Sequence, residues 1–126
     1  MDDSGAKKIL VIDDDETLLT IAKNMLKNDY EVILSRSGKD ALELFFHGTI
    51  PDLVLLDILM PDMDGWETFN RLKAITLLQD VPIAFLTSKS GELEEKRAYE
   101  IGAADFITKP FNKLDLLDRI KNILMK

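Results

Sequence analysis

The sequence has no cysteine among its 126 residues, which excludes a disulfide framework and a thiolate metal site and suits a reducing compartment. It also lacks any apolar run approaching the roughly 18 residues of a membrane span. Positive charge is short: 16 Lys+Arg stand against 23 Asp+Glu, a net charge of -7. Such a balance argues against direct nucleic acid binding through a phosphate backbone. The start, "MDDSGAKK", is polar and acidic where a signal peptide would carry a basic patch and an apolar core. No repeat, linker or low-complexity stretch interrupts the chain. What is present, 46% hydrophobic and 31% charged residues, is ordinary for a globular protein and sufficient for one core. The expectation is a single cytoplasmic domain over residues 1–126, with no membrane contact and no output domain.

Apolar strand-like runs alternate with amphipathic stretches. Lys8–Ile12 precedes Leu18–Lys27, Glu31–Leu34 precedes Ala41–Phe46, and Leu53–Leu56 precedes Trp66–Ile75. Ile83–Leu86 then precedes Leu93–Ile101, and Asp105–Thr108 precedes Leu114–Leu124. Five βα units with short connections predict an α/β fold, a parallel sheet with helices on both faces. Ser37 with Asp40, and Asp64 with Glu67, have the spacing of a helix N-cap and its third residue; Asn112 is placed to cap the last helix. Gly102 is placed to end the fourth helix. Leu114, Leu117, Ile120, Ile123 and Leu124 are expected to form the core stripe of the last.

In open α/β sheets, ligands bind at the carboxyl ends of the strands. Four of the five ends are chemically loaded here: Asp13, Asp14 and Asp15 after the first strand, Asp57 after the third, Thr87 and Ser88 after the fourth, and Lys109-Pro110 after the fifth. Taken singly, each has an ordinary structural reading. An acid after a strand starts turns or caps helices, and Asp15-Glu16 suits a helix N-terminus. The fold, however, gathers these ends at one rim. Two carboxylates about 4 Å apart repel by roughly 4 kcal/mol at an effective dielectric near 20. A hard divalent cation offsets that repulsion, since Mg²⁺ takes oxygen ligands and needs only one or two carboxylates plus a phosphate oxygen. Carboxylates, a divalent metal, a lysine and a hydroxyl suit phosphoryl transfer, where catalysis is mainly positioning and charge stabilisation.

The segments "ILVIDDDETLL", "LVLLDILMPDMDGWE", "IAFLTSKS" and "GAADFITKPF" together resemble the receiver domain of two-component response regulators, and the resemblance spans essentially the whole chain. It implies a flavodoxin-like (βα)5 doubly wound sheet of order 2-1-3-4-5. It implies that Asp57 accepts a phosphoryl group from a histidine kinase or histidine phosphotransfer protein, as an aspartyl phosphate. Asp14 would ligate Mg²⁺ directly and Asp13 largely through water, with Asp57 and the backbone carbonyl of Leu59 completing the set. Lys109, Thr87 and the backbone N–H of Ser88 would contact phosphoryl oxygens. Thr87 and Phe106 would be the switch pair, signalling through the face of the fourth helix, fifth strand and fifth helix to a downstream protein target or a separate output domain. The resemblance also implies a cis Lys109-Pro110 bond, and makes Leu59 and Lys89 the residues that tune phosphate lifetime. Such a domain assists its own phosphorylation without being classed as an enzyme.

Some features acquire no role. Met60 and Met63 read as gap-fillers, and His47 as a residue at the end of the second helix. Trp66 reads either as packing or as a fluorescent reporter of metal binding. Two other functional readings remain open. "ILVIDDDET" also fits a haloacid-dehalogenase-like phosphatase with Asp13 as nucleophile and Asp15 as acid/base, although no acidic pair follows the lysine strand, a cap has no room, and Asp57 is left unexplained. A receiver-like interaction module that takes no phosphate would be expected to lack Asp57, Lys109 or an acidic-pair member.

Overall fold

Strand pairing in the computed structural model, which describes residues 6–126, follows the alternation of the sequence. β1 (Lys8–Ile12), β2 (Glu31–Ser35), β3 (Leu53–Leu56), β4 (Ile83–Thr87) and β5 (Asp105–Thr108) form one sheet in the order β2-β1-β3-β4-β5, and every pairing is parallel. Between and after them run α1 (Glu16–Leu26), α2 (Gly38–Phe46), α3 (Gly65–Lys73), α4 (Glu92–Glu100) and α5 (Lys113–Leu124). This is the flavodoxin-like doubly wound sheet in the expected order. The polar start read as incompatible with a signal peptide lies partly in residues 1–5, outside the described residues.

Each central strand is apolar on both faces because both faces are covered. Leu10, Ile12, Val54, Leu56, Ile83, Phe85 and Phe106 pack toward α2, α3 and α4. Their alternates Ile9, Val11, Leu53, Leu55, Ala84, Leu86 and Ile107 pack toward α1 and α5. Phe85 is the centre of the first core: its ring lies 4.9 Å from that of Trp66, 5.6 Å from Phe69 and 6.3 Å from Phe106. Such offset and tilted pairs add to the burial of their apolar area.

The helix signals hold at the predicted residues. Ser37, Asp64 and Asn112 accept the backbone N–H groups of Asp40, Glu67 and Asp115. Gly102 follows α4 with φ 101, a conformation that glycine adopts without steric cost. His47 is the exposed C-cap of α2.

Two expectations are corrected. α3 ends at Lys73 rather than Ile75, and a single 3-10 turn, Thr76–Leu78, follows. Lys73 Nζ donates to the Val81 carbonyl at 2.7 Å, and the turn carries Leu78 into the core. In α5, Leu114 is 77% exposed, while Leu116 and Ile120 are fully buried and Leu117, Ile123 and Leu124 half-buried. The stripe runs 116, 117, 120, 123, 124, so only Leu114 of the expected residues leaves it and Leu116 takes its place. Leu114 stands two positions from Leu116, about 200° round the helix, and faces away.

Phe85→Ala would remove the ring that Trp66, Phe69 and Phe106 share. A loss of about 3–5 kcal/mol is expected, read as a lower urea midpoint with an unchanged slope.

Candidate functional site at the strand ends

The acidic and basic side chains expected at the rim are carried there by the last rungs of the sheet. Asp13, just past β1, donates its N–H to the Ser35 carbonyl of β2 at 3.0 Å. Asp57, just past β3, donates to the Ile12 carbonyl of β1 at 3.0 Å, and Lys109, just past β5, to the Thr87 carbonyl of β4 at 2.9 Å. Each charged residue thus extends a parallel ladder by one bond, so its backbone has the rigidity of a strand while its side chain clears the core.

The side chains meet. Asp13, Asp14 and Asp57 offer carboxylate oxygens within 4.8 Å of one another, a grouping able to hold a metal ion. Asp13 and Asp57 are almost wholly buried, 1% and 4% exposed, whereas Asp14 is open to solvent. Lys109 Nζ lies 2.7 Å from Asp13 Oδ2 and 3.7 Å from Asp57 Oδ2. The other Asp13 oxygen accepts the Asp15 N–H at 2.9 Å, and Asp57 Oδ1 accepts the Leu59 N–H at 3.4 Å. Burial pushes the Asp57 carboxyl above its ordinary range, and the neighbouring Asp13 charge pushes it further. The Thr87 hydroxyl, Lys109 and the Leu59 N–H act in the opposite direction without cancelling the rise. One ammonium among three carboxylates leaves excess negative charge in a partly dry place. That charge, with hard oxygen donors, fits a divalent cation such as Mg²⁺.

The remaining predicted residues lie on or just after β3, β4 and β5. Thr87 is the last residue of β4 and fully buried, and its hydroxyl accepts the Lys89 N–H at 3.1 Å. Ser88 stands exposed at the bend that follows, and Leu59 is exposed beyond Asp57. Phe106 is the register partner of Phe85, two residues before Thr87, so by strand alternation the three side chains share a sheet face. Its ring is only 5% exposed and already packs inward. The Lys109-Pro110 bond is cis. Asp15 does not join the cluster. Its carboxylate caps α1, accepting the N–H groups of Thr17 and Leu18, which leaves the dehalogenase-type pair without its second acid.

Sequence reasoning passed over Gly65. A Cβ there would lie 2.3 Å from the Asp57 carbonyl oxygen and 2.6 Å from the Ile58 Cα, and the Gly65 N–H donates to the Ile58 carbonyl at 2.8 Å. Glycine in a helix costs about 1 kcal/mol against alanine. A glycine that starts a helix just after its N-cap was therefore the available signal of a close approach.

A family profile described as the response regulator receiver domain matches residues 9–121. Histidine kinase P4 of Formosa agariphila is 37% identical over 116 residues, 92% of this chain but 8% of that protein, so the chain spans a small part of the relative's length. Among solved structures, a chemotaxis protein of Vibrio cholerae superposes with a TM-score of 0.88 at 25% identity, covering 94% of this chain and 99% of that one. The signal receiver domain of a signal transduction histidine kinase from Syntrophus aciditrophicus gives 0.83 at 36% identity, over 95% and 91%.

The raised Asp57 carboxyl has a consequence for stability. A folded-state value above the unfolded one means that the ionised group opposes folding at neutral pH, and the penalty fades as pH falls through the folded value toward the unfolded one. In chelator-treated buffer at pH 7, Asp57→Asn should raise Tm by about 3 °C. The gain should shrink as pH approaches about 4. A variant that melts lower than the parent at pH 7 would contradict this.

Proposed function

The chain belongs to the response regulator receiver domain family of two-component systems, and from that premise we propose that it accepts a phosphoryl group on Asp57 from a histidine kinase or histidine phosphotransfer protein. The observation that carries the reading is the meeting of Asp13, Asp14, Asp57 and Lys109 at one rim. Receiver domains are signalling domains and not generally classed as enzymes. The chemistry proposed here is a single transfer that the domain assists in itself.

An Asp57 carboxylate oxygen attacks phosphorus as the bond from phosphorus to the donor breaks, and the leaving group departs with that electron pair. Asp13, Asp14, Asp57 and the Leu59 carbonyl would hold Mg²⁺, which when bound supplies positive charge beside the phosphoryl oxygens. Lys109, now paired with Asp13 and close to Asp57, has the reach to exchange part of that pairing for a phosphoryl oxygen. The Thr87 hydroxyl and the Ser88 N–H donate to the others. A strand-end position suits the nucleophile, because alignment accounts for much of the rate in such transfers.

Thr87 and Phe106 form the switch, and the α4-β5-α5 face is the signalling surface toward a downstream protein target or an output domain. Phe106 is already inside, so the switch involves little outward-to-inward travel of its ring. The kinase relatives support a histidine kinase as the upstream partner, and such a partner implies a cytoplasmic setting. Among the described residues, no helix is long and apolar enough to cross a membrane.

Incubation with acetyl phosphate and Mg²⁺, followed by intact-mass measurement and site mapping, tests the reading. One phosphoryl group on Asp57, lost in Asp57→Asn, is expected. Phosphate on Asp13 would favour the phosphatase reading, and none under any condition would favour an interaction module. The exposed Leu59 side chain offers no polar group to orient a hydrolytic water. The phosphorylated form should therefore persist for minutes or longer in Mg²⁺, as followed by the decay of the added mass, and loss within seconds would refute this.

A further inference from the structure

Beside the β3–α3 connection lies a contact that the carboxylate chemistry does not use. Arg97 of α4 sets its guanidinium carbon 4.1 Å from the centroid of the Trp66 ring. The Trp66 ring is buried and also packs against Phe85, so it is held between the core and a surface cation. Trp66 follows Gly65, whose backbone is so close to Asp57 and Ile58 that there is no room for a methyl group between them. Arg97 and Trp66 line one groove together with Ile58, Leu59 and Lys89, so the stack borders the segment that carries Asp57 and Leu59.

α4 is lightly anchored by comparison. Its N-cap is Gly91, which offers no side-chain bond, its first turn holds Glu92, Glu94 and Glu95, and it buries only Ala98. Besides the Tyr99 hydroxyl, which donates to Asp105 of β5 at 3.1 Å, the cation over the indole is the contact that ties this helix to α3.

The geometry points to Arg97 as a positioning residue for the metal-binding rim: by stacking on Trp66 it braces the β3–α3 connection that carries Leu59, and it ties α4 to that connection. The inference rests on reading Asp13, Asp14, Asp57 and Leu59 as metal ligands. Coupling of this kind is reciprocal, so whatever displaces α4 from Trp66 also weakens the metal site.

The test is a Mg²⁺ titration of the full chain without a phosphodonor. Emission of Trp66, the sole tryptophan, is followed alongside the backbone amide NMR shifts of Asp57 and Leu59, a second readout taken at the ligand residues themselves. Arg97→Ala and Arg97→Gln should each raise the half-saturating Mg²⁺ concentration about two- to fivefold, in keeping with the strength of an exposed cation–π contact. Arg97→Lys, which keeps the charge, should recover most of the loss. Equal half-saturation in all four proteins overturns the inference, as does a Gln variant that matches the parent, since packing alone would then suffice. Failure of the parent itself to bind Mg²⁺ overturns the metal reading together with this inference, and so differs from failure of the variants alone.

Discussion

Three carboxylates share the company of one ammonium at the C-terminal rim of the sheet, and the organisation of this molecule answers to that crowding. Asp13 and Asp57 are buried, and like charges at such separations repel by several kcal/mol. That is a sizeable part of the 5–15 kcal/mol or so that holds a typical domain folded. Lys109 offsets part of it, bonding closely to Asp13 and more distantly to Asp57. The imbalance is visible at Asp57, which burial and the Asp13 charge together make reluctant to ionise. A site held in this condition is poised to take up positive charge, whether as a metal ion or as a rearranged lysine.

Such a cluster would relax apart on flexible loops, and the sheet prevents it. The backbone N–H of each of Asp13, Asp57 and Lys109 is bonded to the final residue of a neighbouring strand. Separating the charges would break those terminal rungs. Behind the rungs lie two apolar layers in which the strand interiors are almost wholly buried, and Gly65 holds the start of α3 directly against the Asp57 backbone. The repulsion is thus opposed by distributed burial rather than by any single contact, which explains how a destabilising arrangement persists in a domain of this size.

Much of this was legible in the sequence because its signals are local and periodic. Uninterrupted runs such as Leu53–Leu56 identify doubly covered strands, and Ser37, Asp64 and Asn112 mark helix starts through bonds that span three residues. The convergence of Asp13, Asp14, Asp57, Thr87 and Lys109 followed once the ends of parallel strands were assigned to one rim. What escaped depends on distance across the chain. Leu114 was assigned to the core because leucine at helical spacing looks alike on either side of a stripe, and only the direction of the sheet selects Leu116 and Ile120. α3 ends early where Ile75 takes an extended backbone ahead of the 3-10 turn, and Lys73 then bonds the Val81 carbonyl eight residues on. Gly65 and the Arg97–Trp66 stack are contacts between elements, and no spacing rule encodes them.

The two helices that flank the acid-bearing connection are supported very differently. α3 is capped by Asp64, buries Trp66, Thr68, Phe69 and Leu72, and abuts the Asp57 backbone through Gly65. α4 has neither a side-chain cap nor more than one buried residue. Regions with few buried apolar contacts open at lower free energy than the core does. Of the two helices, α4 therefore offers the lower resistance to displacement. Phe106 is packed inside and α3 is wedged in place, whereas α4 leaves Leu93 exposed and is held to β5 through the Tyr99 hydroxyl, which donates to Asp105. That asymmetry is set by which helix turns its large apolar side chains toward the sheet: α3 buries Trp66, Phe69 and Leu72, while α4 leaves Leu93 in solvent.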